Sequence, residues 1–356
     1  MTSPLHRLAL HAAYGASQLP RLAWYVGHGF AMRQLSRAAL RNQVASPRPR
    51  PLATKSVPDR ARLFADMANL LQCDIANVED GIYPLPIDRD GSLPTLLDRS
   101  RLFFTDLPQI HRRRENGLHN EVLGDDVVGK RPRYYLQNFH FQSGGWMTDE
   151  SARRYDTQVE VFFSGTANAM RRQALPALRE VFAGRDQRGL RLLDVGSGTG
   201  RFIDSVKQAW PLLPVTGIDL SEAYTKEARR YLNRWSRRQL IVANAEAIPV
   251  AGASQDAVTS IFLFHELPPK VRRGVFGEFA RVLRPGGRLV VVDALQIGDD
   301  PAYDGMLERF PRKFHEPYFS SYVIEDFGEL ARTHGLTHAR DVRAFVSKVM
   351  VFDKPS

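Results

Sequence analysis

The reading of this chain turns on Gly189-Leu-Arg-Leu-Leu-Asp-Val-Gly-Ser-Gly-Thr-Gly-Arg201. Leu190, Leu192, Leu193 and Val195 form the short apolar run of a buried parallel strand, predicted over Leu190 to Val195. Gly196, Gly198 and Gly200 then punctuate the chain before a predicted helix over Arg201 to Ala209. Strand, glycine turn and helix in that order bring a ligand onto bare backbone, where the first free N–H groups of the helix can meet it. A dinucleotide-binding turn has the spacing G-x-G-x-x-G/A. Counted from Gly196, its last position falls on Arg201, so the third glycine comes one residue early and a pyrophosphate is disfavoured.

Asp194 ends the strand, where an ammonium group could be met. Val215-Thr-Gly-Ile-Asp219-Leu-Ser221 reads as a second strand, predicted from Pro214 to Asp219, ending in an acid that can accept from two ribose hydroxyls. On these residues the sequence resembles the class I S-adenosylmethionine (SAM)-dependent methyltransferases, whose first two motifs look like LLDVGSGTG and VTGIDLS. Two further stretches are similar to that family in the same order. Asn244-Ala-Glu-Ala-Ile-Pro249 resembles its acidic loop under the adenine, with Asn244 where Asp is usual, and Arg284-Pro-Gly-Gly-Arg-Leu-Val-Val-Val-Asp293 resembles its RVLRPGG-type turn and strand. Arg154-Tyr155-Asp156, Ser164-Gly165 and Arg171 are similar to the segment before the glycine loop in the C-methyltransferases of ubiquinone and menaquinone biosynthesis.

The resemblance spans about Ser151 to Asp353 and implies a Rossmann-like α/β fold with a seven-stranded, mostly parallel sheet whose last strand is antiparallel. It implies SAM as cofactor and S-adenosylhomocysteine as product. In that reading Gly196, Ser197, Gly198, Thr199 and Gly200 carry the methionine and ribose end, and Asp194 faces the ammonium directly or through water. Asp219 holds the ribose hydroxyls, Leu220 packs on the adenine, and Asn244, Ala245 and Glu246 edge it. Tyr155 and Arg171 or Arg172 close the methionine end, and Phe264 belongs to the same pocket.

Further along, Ser221 to Ser236 reads as a helix with Ser221 as N-cap, Gln239 to Ala243 as a third strand and Asp256 to Phe264 as a fourth. His265 and Glu266 follow the fourth strand, at the end of the sheet where ligands bind, and are candidates for a general base, with capping of the next helix (Pro269 to Leu283) as the plainer role. Ala294 to Ser321 reads as a long loop, with His315 and Tyr318 as secondary acceptor-pocket candidates. A helix over Val323 to His334 and strands over Thr337 to Phe345 and Lys348 to Asp353 complete the chain. In-line displacement at a sulfonium methyl requires no metal.

Composition bounds the rest. The chain has 356 residues, 43% of them hydrophobic and 25% charged, the balance of a globular protein. Its single cysteine, Cys73, allows no intrachain disulfide and no multi-cysteine zinc site, and reads as a small buried apolar residue in a reducing compartment. Of the net +10, residues 1–58 supply +8, with eight arginines and lysines and no acid. The catalytic half is therefore nearly neutral and lacks an Asn-Pro-Pro-Tyr-type tetrapeptide, so nucleic acid is not an expected partner.

The organisation expected is a basic helical leader (1–45), a proline-rich hinge (46–58), an extension or lid (59–150) and the methyltransferase domain (151–356). The leader interleaves Tyr14, Trp24, Tyr25 and Phe30 with Arg33, Arg37 and Arg41. It reads as an anchor on an anionic membrane surface, as a transit peptide, or as helices packed on the enzyme. Asp59 to Gln72 is helical by spacing, residues 80–108 read as irregular, and His111-Arg-Arg-Arg114 as a solvated or phosphate-binding helix face. Tyr134, Tyr135, Phe139, Trp146 and Tyr155 suit either a pocket wall or a buried seam. The function expected is methyl transfer to an apolar acceptor such as a quinol, an isoprenoid or a lipid, in a cytoplasmic or peripherally membrane-bound enzyme. A soluble small-molecule acceptor and a non-catalytic scaffold are the alternatives. Intact glycines and both acids stand against the scaffold.

Overall fold

Alternate residues of the central strands go to opposite faces of one sheet, as a period of two requires. Leu192, Val290, Val292, Val349 and Val351 pack on one side with Met170, Leu178 and Val206. Leu193, Val195, Leu289, Val291, Met350 and Phe352 pack on the other with Val275, Phe279 and Leu330. Both faces are covered, which is why these strands read as unbroken apolar runs. The computed structural model describes residues 4–41, 53–123, 129 and 131–356.

Three helices, α1 (Pro4–Arg41), α2 (Arg60–Glu79) and α3 (Leu93–Asn116), precede α4 (Asp149–Phe162), α5 (Ala167–Arg172) and α6 (Leu175–Phe182). The catalytic sheet then alternates β1 (Leu192–Val195), α7 (Arg201–Ala209), β2 (Val215–Asp219), α8 (Glu222–Tyr231), β3 (Arg238–Val242), β4 (Gln255–Ile261), α9 (Pro269–Val282) and β5 (Leu283–Ala294). After it come α10 (Asp304–Phe314), α11 (Phe319–Tyr322), α12 (Phe327–Thr333), β6 (Thr337–Ala344) and β7 (Ser347–Asp353). The strand order is β3-β2-β1-β4-β5-β7-β6, and β7 runs antiparallel to both β5 and β6. Because β1 pairs in parallel with β2 on one side and β4 on the other, the order reverses there and a crevice opens beyond their carboxyl ends.

Several expectations need correction. The region 294–321 is not a loop: Leu307, Phe310 and Phe314 recur at helical spacing in α10, behind a glycine- and aspartate-rich start that hides the period. Of residues 80–108 only the first part is irregular, since Ser92 caps α3 and Pro94 sits in its first turn. Arg113 of the basic run is buried, donating to the Phe141 carbonyl and pairing with Glu121 at 2.6 Å. Cys73 is exposed on α2, at the edge of the face that buries Leu70 and Asp74.

The leader is one continuous helix despite Gly15, Pro20, Gly27 and Gly29. Buried Tyr14, Gln18, Arg21 and Tyr25 follow one another at helical spacing and fix α1 to the body of the protein, offsetting a cost of roughly 1 kcal/mol per helical glycine. Gly165 makes room for this contact: a Cβ there would lie 3.1 Å from the Leu22 backbone. Tyr14 and Tyr25 are therefore unavailable as surface anchors, and Trp24 packs against the Tyr25–Phe103 cluster. The proline-rich stretch 46–51, with Arg48 and Arg50, lies outside the described residues. The end of the expected hinge is pinned to α10, where Glu308 accepts from the backbone of Thr54 and Lys55.

Buried ion pairs tie the extension to the catalytic half. Arg172 on α5 pairs with Asp74 of α2 at 2.6 Å and with Asp88 at 2.8 Å, while Tyr14 and Tyr83 each donate to Asp74 at 2.7 Å. Arg21 pairs with Asp90 at 2.7 Å and Glu160 at 2.5 Å, and Arg99 with Glu227 at 3.2 Å. Leu70, Val78 and Tyr83 share a core with Leu192 of β1, so α2 and the turn after it pack as part of the same body.

Removing one partner of a buried pair strands the other. Asp74→Ala is expected to lower stability by about 3–5 kcal/mol in urea unfolding. Arg101→Ala, which removes a pair with Asp98 exposed on both sides, leaves the midpoint in place.

Candidate active site

Gly196, Gly198 and Gly200 all adopt left-handed backbone conformations, with φ of 75°, 52° and 83°. They serve different ends. A Cβ on Gly200 would lie 2.7 Å from Leu232, so this glycine lets α7 pack closely against the end of α8. A Cβ on Gly198 would meet nothing within 4 Å and would project into open space above the sheet. Asp219 at the end of β2 holds the turn: one carboxylate oxygen accepts from the Gly198 N–H at 2.8 Å and the other from the Ser221 N–H at 2.8 Å. Burial raises its pKa, and the two N–H bonds oppose that shift.

The crevice beyond β1 and β4 encloses about 820 Å³, solvent at its mouth included. Val195, Gly196, Gly198, Ile218, Asp219 and Leu220 line it from the sheet side, and Ser221, Tyr224, Asn244 and Ala245 from the β2–β3 side. Tyr134, Tyr135, Phe139, Trp146 and Tyr155, from the extension and α4, form an aromatic wall. Trp146, Tyr155 and Tyr224 meet edge-to-face at 5.1–5.6 Å between ring centres, so the wall is also a packed seam, and both roles expected of these aromatics are met. Phe262, Leu263, Glu266 and Leu267 close the far end.

Eight of the residues singled out in the sequence line this cleft: Tyr155, Gly196, Gly198, Asp219, Leu220, Asn244, Ala245 and Glu266. Glu246 stands at the rim, accepting from Tyr134 at 2.7 Å and from Asn244 at 3.2 Å. Ser197 donates its backbone N–H to Ile218 beneath the loop, and Thr199 donates its hydroxyl to buried Asp156 at 2.6 Å. Both support the loop from behind. Asp194 is buried, accepts from Thr259 at 2.7 Å, and has its pKa pushed up to about 7 by burial, with Asp219 adding and Arg171 opposing. Arg171 donates to Asn168 at 2.8 Å and lies over the Phe262 ring, close to the cleft wall.

Three placements differ from expectation. Phe264 is fully buried among Phe276, Phe279 and Phe327 and does not reach the cleft. Its N–H and that of His265 both go to Asp293, which turns the 3-10 segment Phe264–Glu266 so that this ring faces the core. Arg172 is committed to Asp74 and Asp88, leaving Arg171 as the arginine near the cofactor end. His315 and Tyr318 contact Gln137 at 3.0 and 3.3 Å behind the aromatic wall instead of lining the pocket.

His265 lies behind Glu266. Its Nδ1 is 2.6 Å from Asp293 Oδ1, and its ring packs against Phe319 and Tyr322. Burial lowers its pKa, but Asp293, Glu316 and Glu266 together raise it to about 10 and hold the ring in its charged form. Burial raises the pKa of Glu266, the acid that faces the cleft. Sequence reasoning passed over Ser221 and Tyr224 as a cap and an ordinary helix residue, and over Phe262, whose left-handed φ of 56° aims it at the wall.

The family described as "Methyltransferase domain" matches residues 192–287. The ubiquinone/menaquinone biosynthesis C-methyltransferase of Methylobacterium nodulans is 30% identical over 213 residues, covering 52% of this chain and 82% of that protein. A malonyl-[acyl-carrier protein] O-methyltransferase of Xylella fastidiosa is 37% identical over 102 residues, covering 28% of this chain and 33% of its own length. A crystal structure of a SAM-dependent methyltransferase from Aquifex aeolicus aligns with a TM-score of 0.41 at 19% identity, covering 58% of this chain and 97% of that one. The chain belongs to the class I SAM-dependent methyltransferases, related over its catalytic half to the C-methyltransferases of quinone biosynthesis.

Proposed function

We propose that this enzyme transfers a methyl group from SAM to an apolar acceptor carrying an ionisable oxygen, of the quinol, isoprenoid or lipid class. The observation that carries the reading is one cleft with two unlike linings. Asp219 and the bare backbone at Gly198 form a polar cradle, and an aromatic wall faces the cleft together with the acid Glu266. SAM supplies a methyl already activated by its sulfonium, displaced in line as the bond to the acceptor forms and the carbon–sulfur bond breaks. The protein's work is positioning and exclusion of water. Asp219 accepts from the ribose hydroxyls, Leu220 and Ala245 flank the adenine, and Asn244 can accept from its amine and donate to a ring nitrogen. Tyr155 and Tyr224 close the methionine end. Glu266, backed by the His265–Asp293 pair, meets the acceptor's oxygen. The quinone-related names of the relatives support an apolar acceptor.

The leader supports a peripheral membrane role by a different set of residues from those expected. Leu8, Leu19 and Phe30 recur at eleven-residue steps, close to three full turns, and are 68%, 65% and 58% exposed. Leu5, Ala12 and Ala23 are exposed on the same side of α1, opposite the face that docks on the enzyme. Among the described residues no helix is long and apolar enough to cross a membrane. The stripe suits burial at an interface instead.

Incubating the enzyme with labelled SAM and a total lipid extract is expected to label a lipid-soluble product; label confined to the aqueous phase refutes the apolar acceptor. Isothermal titration is expected to show SAM and S-adenosylhomocysteine binding one to one, with no heat from NAD. Asp219→Ala weakens that binding about a hundredfold, the cost of losing hydrogen bonds to a charged acceptor. Arrival of a cationic ligand favours ionised Asp194, so its pKa of about 7 falls on binding and a proton is released. Affinity for SAM therefore rises with pH between about 6 and 8, and the titration heat depends on the buffer's ionisation enthalpy; a flat profile contradicts this. Leu8→Glu with Leu19→Glu is expected to abolish flotation with phosphatidylglycerol vesicles while leaving SAM binding intact.

A further inference from the structure

Next to the acceptor end, three side chains from distant parts of the chain converge on one point. His140 comes from the 3-10 segment Phe139–Phe141, Glu266 from the turn after β4, and Glu316 from the turn after α10. One donor atom of each lies within 4.8 Å of the other two. Glu316 is fully buried, and among the described residues neither of its carboxylate oxygens accepts a hydrogen bond. His140 Nε2 stands 3.0 Å from Oε1, but out of line for such a bond. A buried carboxylate without donors is costly and calls for a partner. The charged His265 ring acts on Glu316 through space but donates no hydrogen bond to it, its Nδ1 being taken by Asp293. The backbone is left-handed at His140, with φ of 55°, and at His315, the neighbour of Glu316, with φ of 49°.

We propose that His140, Glu266 and Glu316 form a binding site for a first-row divalent metal ion, open on the side facing the cleft. An imidazole suits Zn²⁺ or Fe²⁺ and carboxylates suit Mn²⁺, and three protein ligands leave a position free for an exogenous oxygen. The set has too few oxygens for Ca²⁺, and its imidazole does not suit Mg²⁺. Burial pushes both Glu266 and Glu316 toward their neutral forms, so an ion taken up there would displace their protons. His140 is about one-third exposed and edge-on to Trp146 of the cleft wall, which leaves a path for entry. Glu266 borders both the ion and the cleft, so the free position would face an oxygen of the acceptor. The second sphere is in place, with the Asp293–His265 pair behind Glu266.

The test uses full-length protein stripped with a chelator and titrated with Zn²⁺ alone and with Mn²⁺ alone, while S-adenosylhomocysteine binding is measured in parallel. One ion per chain is expected, with at least hundredfold weaker binding in Glu316→Gln and in His140→Ala, both of which bind S-adenosylhomocysteine as the unaltered protein does. X-ray absorption on the zinc-loaded unaltered protein is expected to show a first shell of oxygen and nitrogen with one imidazole. The site is refuted if protein that binds S-adenosylhomocysteine takes up no ion, if the variants bind the ion equally well, or if sulfur appears in the shell and places the ion on Cys73. Ion binding without any S-adenosylhomocysteine binding would instead refute the methyltransferase cleft and leave the metal site standing.

Discussion

Two hydrogen bonds to one half-buried carboxylate organise this enzyme's cleft. Asp219 ends β2 and accepts simultaneously from Gly198 in the turn after β1 and from Ser221 at the cap of α8. A turn through three left-handed residues is affordable only with glycine, and such a turn needs an acceptor for N–H groups that no helix or strand can satisfy. Asp219 provides it, and in doing so lies where a ligand on the bare backbone at Gly198 would meet it. The same residue therefore holds the loop and keeps lone pairs free for the hydroxyls of a bound sugar.

The second constraint is the seam between the first 150 residues and the sheet. The aromatic wall of the cleft comes mainly from this region, and a wall can shape a pocket only if it is held in register with the floor. Arg172 with Asp74 and Asp88, Arg21 with Glu160, and Arg99 with Glu227 at 3.2 Å provide that register. Each of these pairs is buried, so the seam tolerates little loss: the attraction offsets desolvation only while every partner is present. The extension is accordingly part of the active site's architecture, and the positions of Tyr134, Phe139 and Trp146 depend on it.

The parts of this structure that could be read in the sequence are those in which function is written locally. The glycine turn, the acid ending β2 and the cap at Ser221 each depend on a few adjacent residues whose types have few other uses. Sheet order and the antiparallel last strand came from the resemblance those motifs carry. α10 was missed because its apolar spacing begins after a run of turn-forming residues, and continuous α1 because tertiary contacts at Tyr14, Arg21 and Tyr25 override three glycines and a proline. Phe264 was misplaced by one step: the residues before it face the cleft, and Asp293 turns the backbone so that this ring does not. Least legible is the meeting of His140, Glu266 and Glu316. Nothing in the spacing of residues 126 and 50 positions apart foretells it, since only the packing of the extension and of α10 over the sheet brings them together.

The most direct test of the account is a crystal structure of the complex with S-adenosylhomocysteine. The account predicts the ribose hydroxyls on the Asp219 carboxylate at about 2.7 Å, the methionine end beside Tyr155 and the sulfur directed toward Glu266. A complex in which the ligand lies elsewhere, or in which Asp219 makes no contact with the sugar, would contradict it.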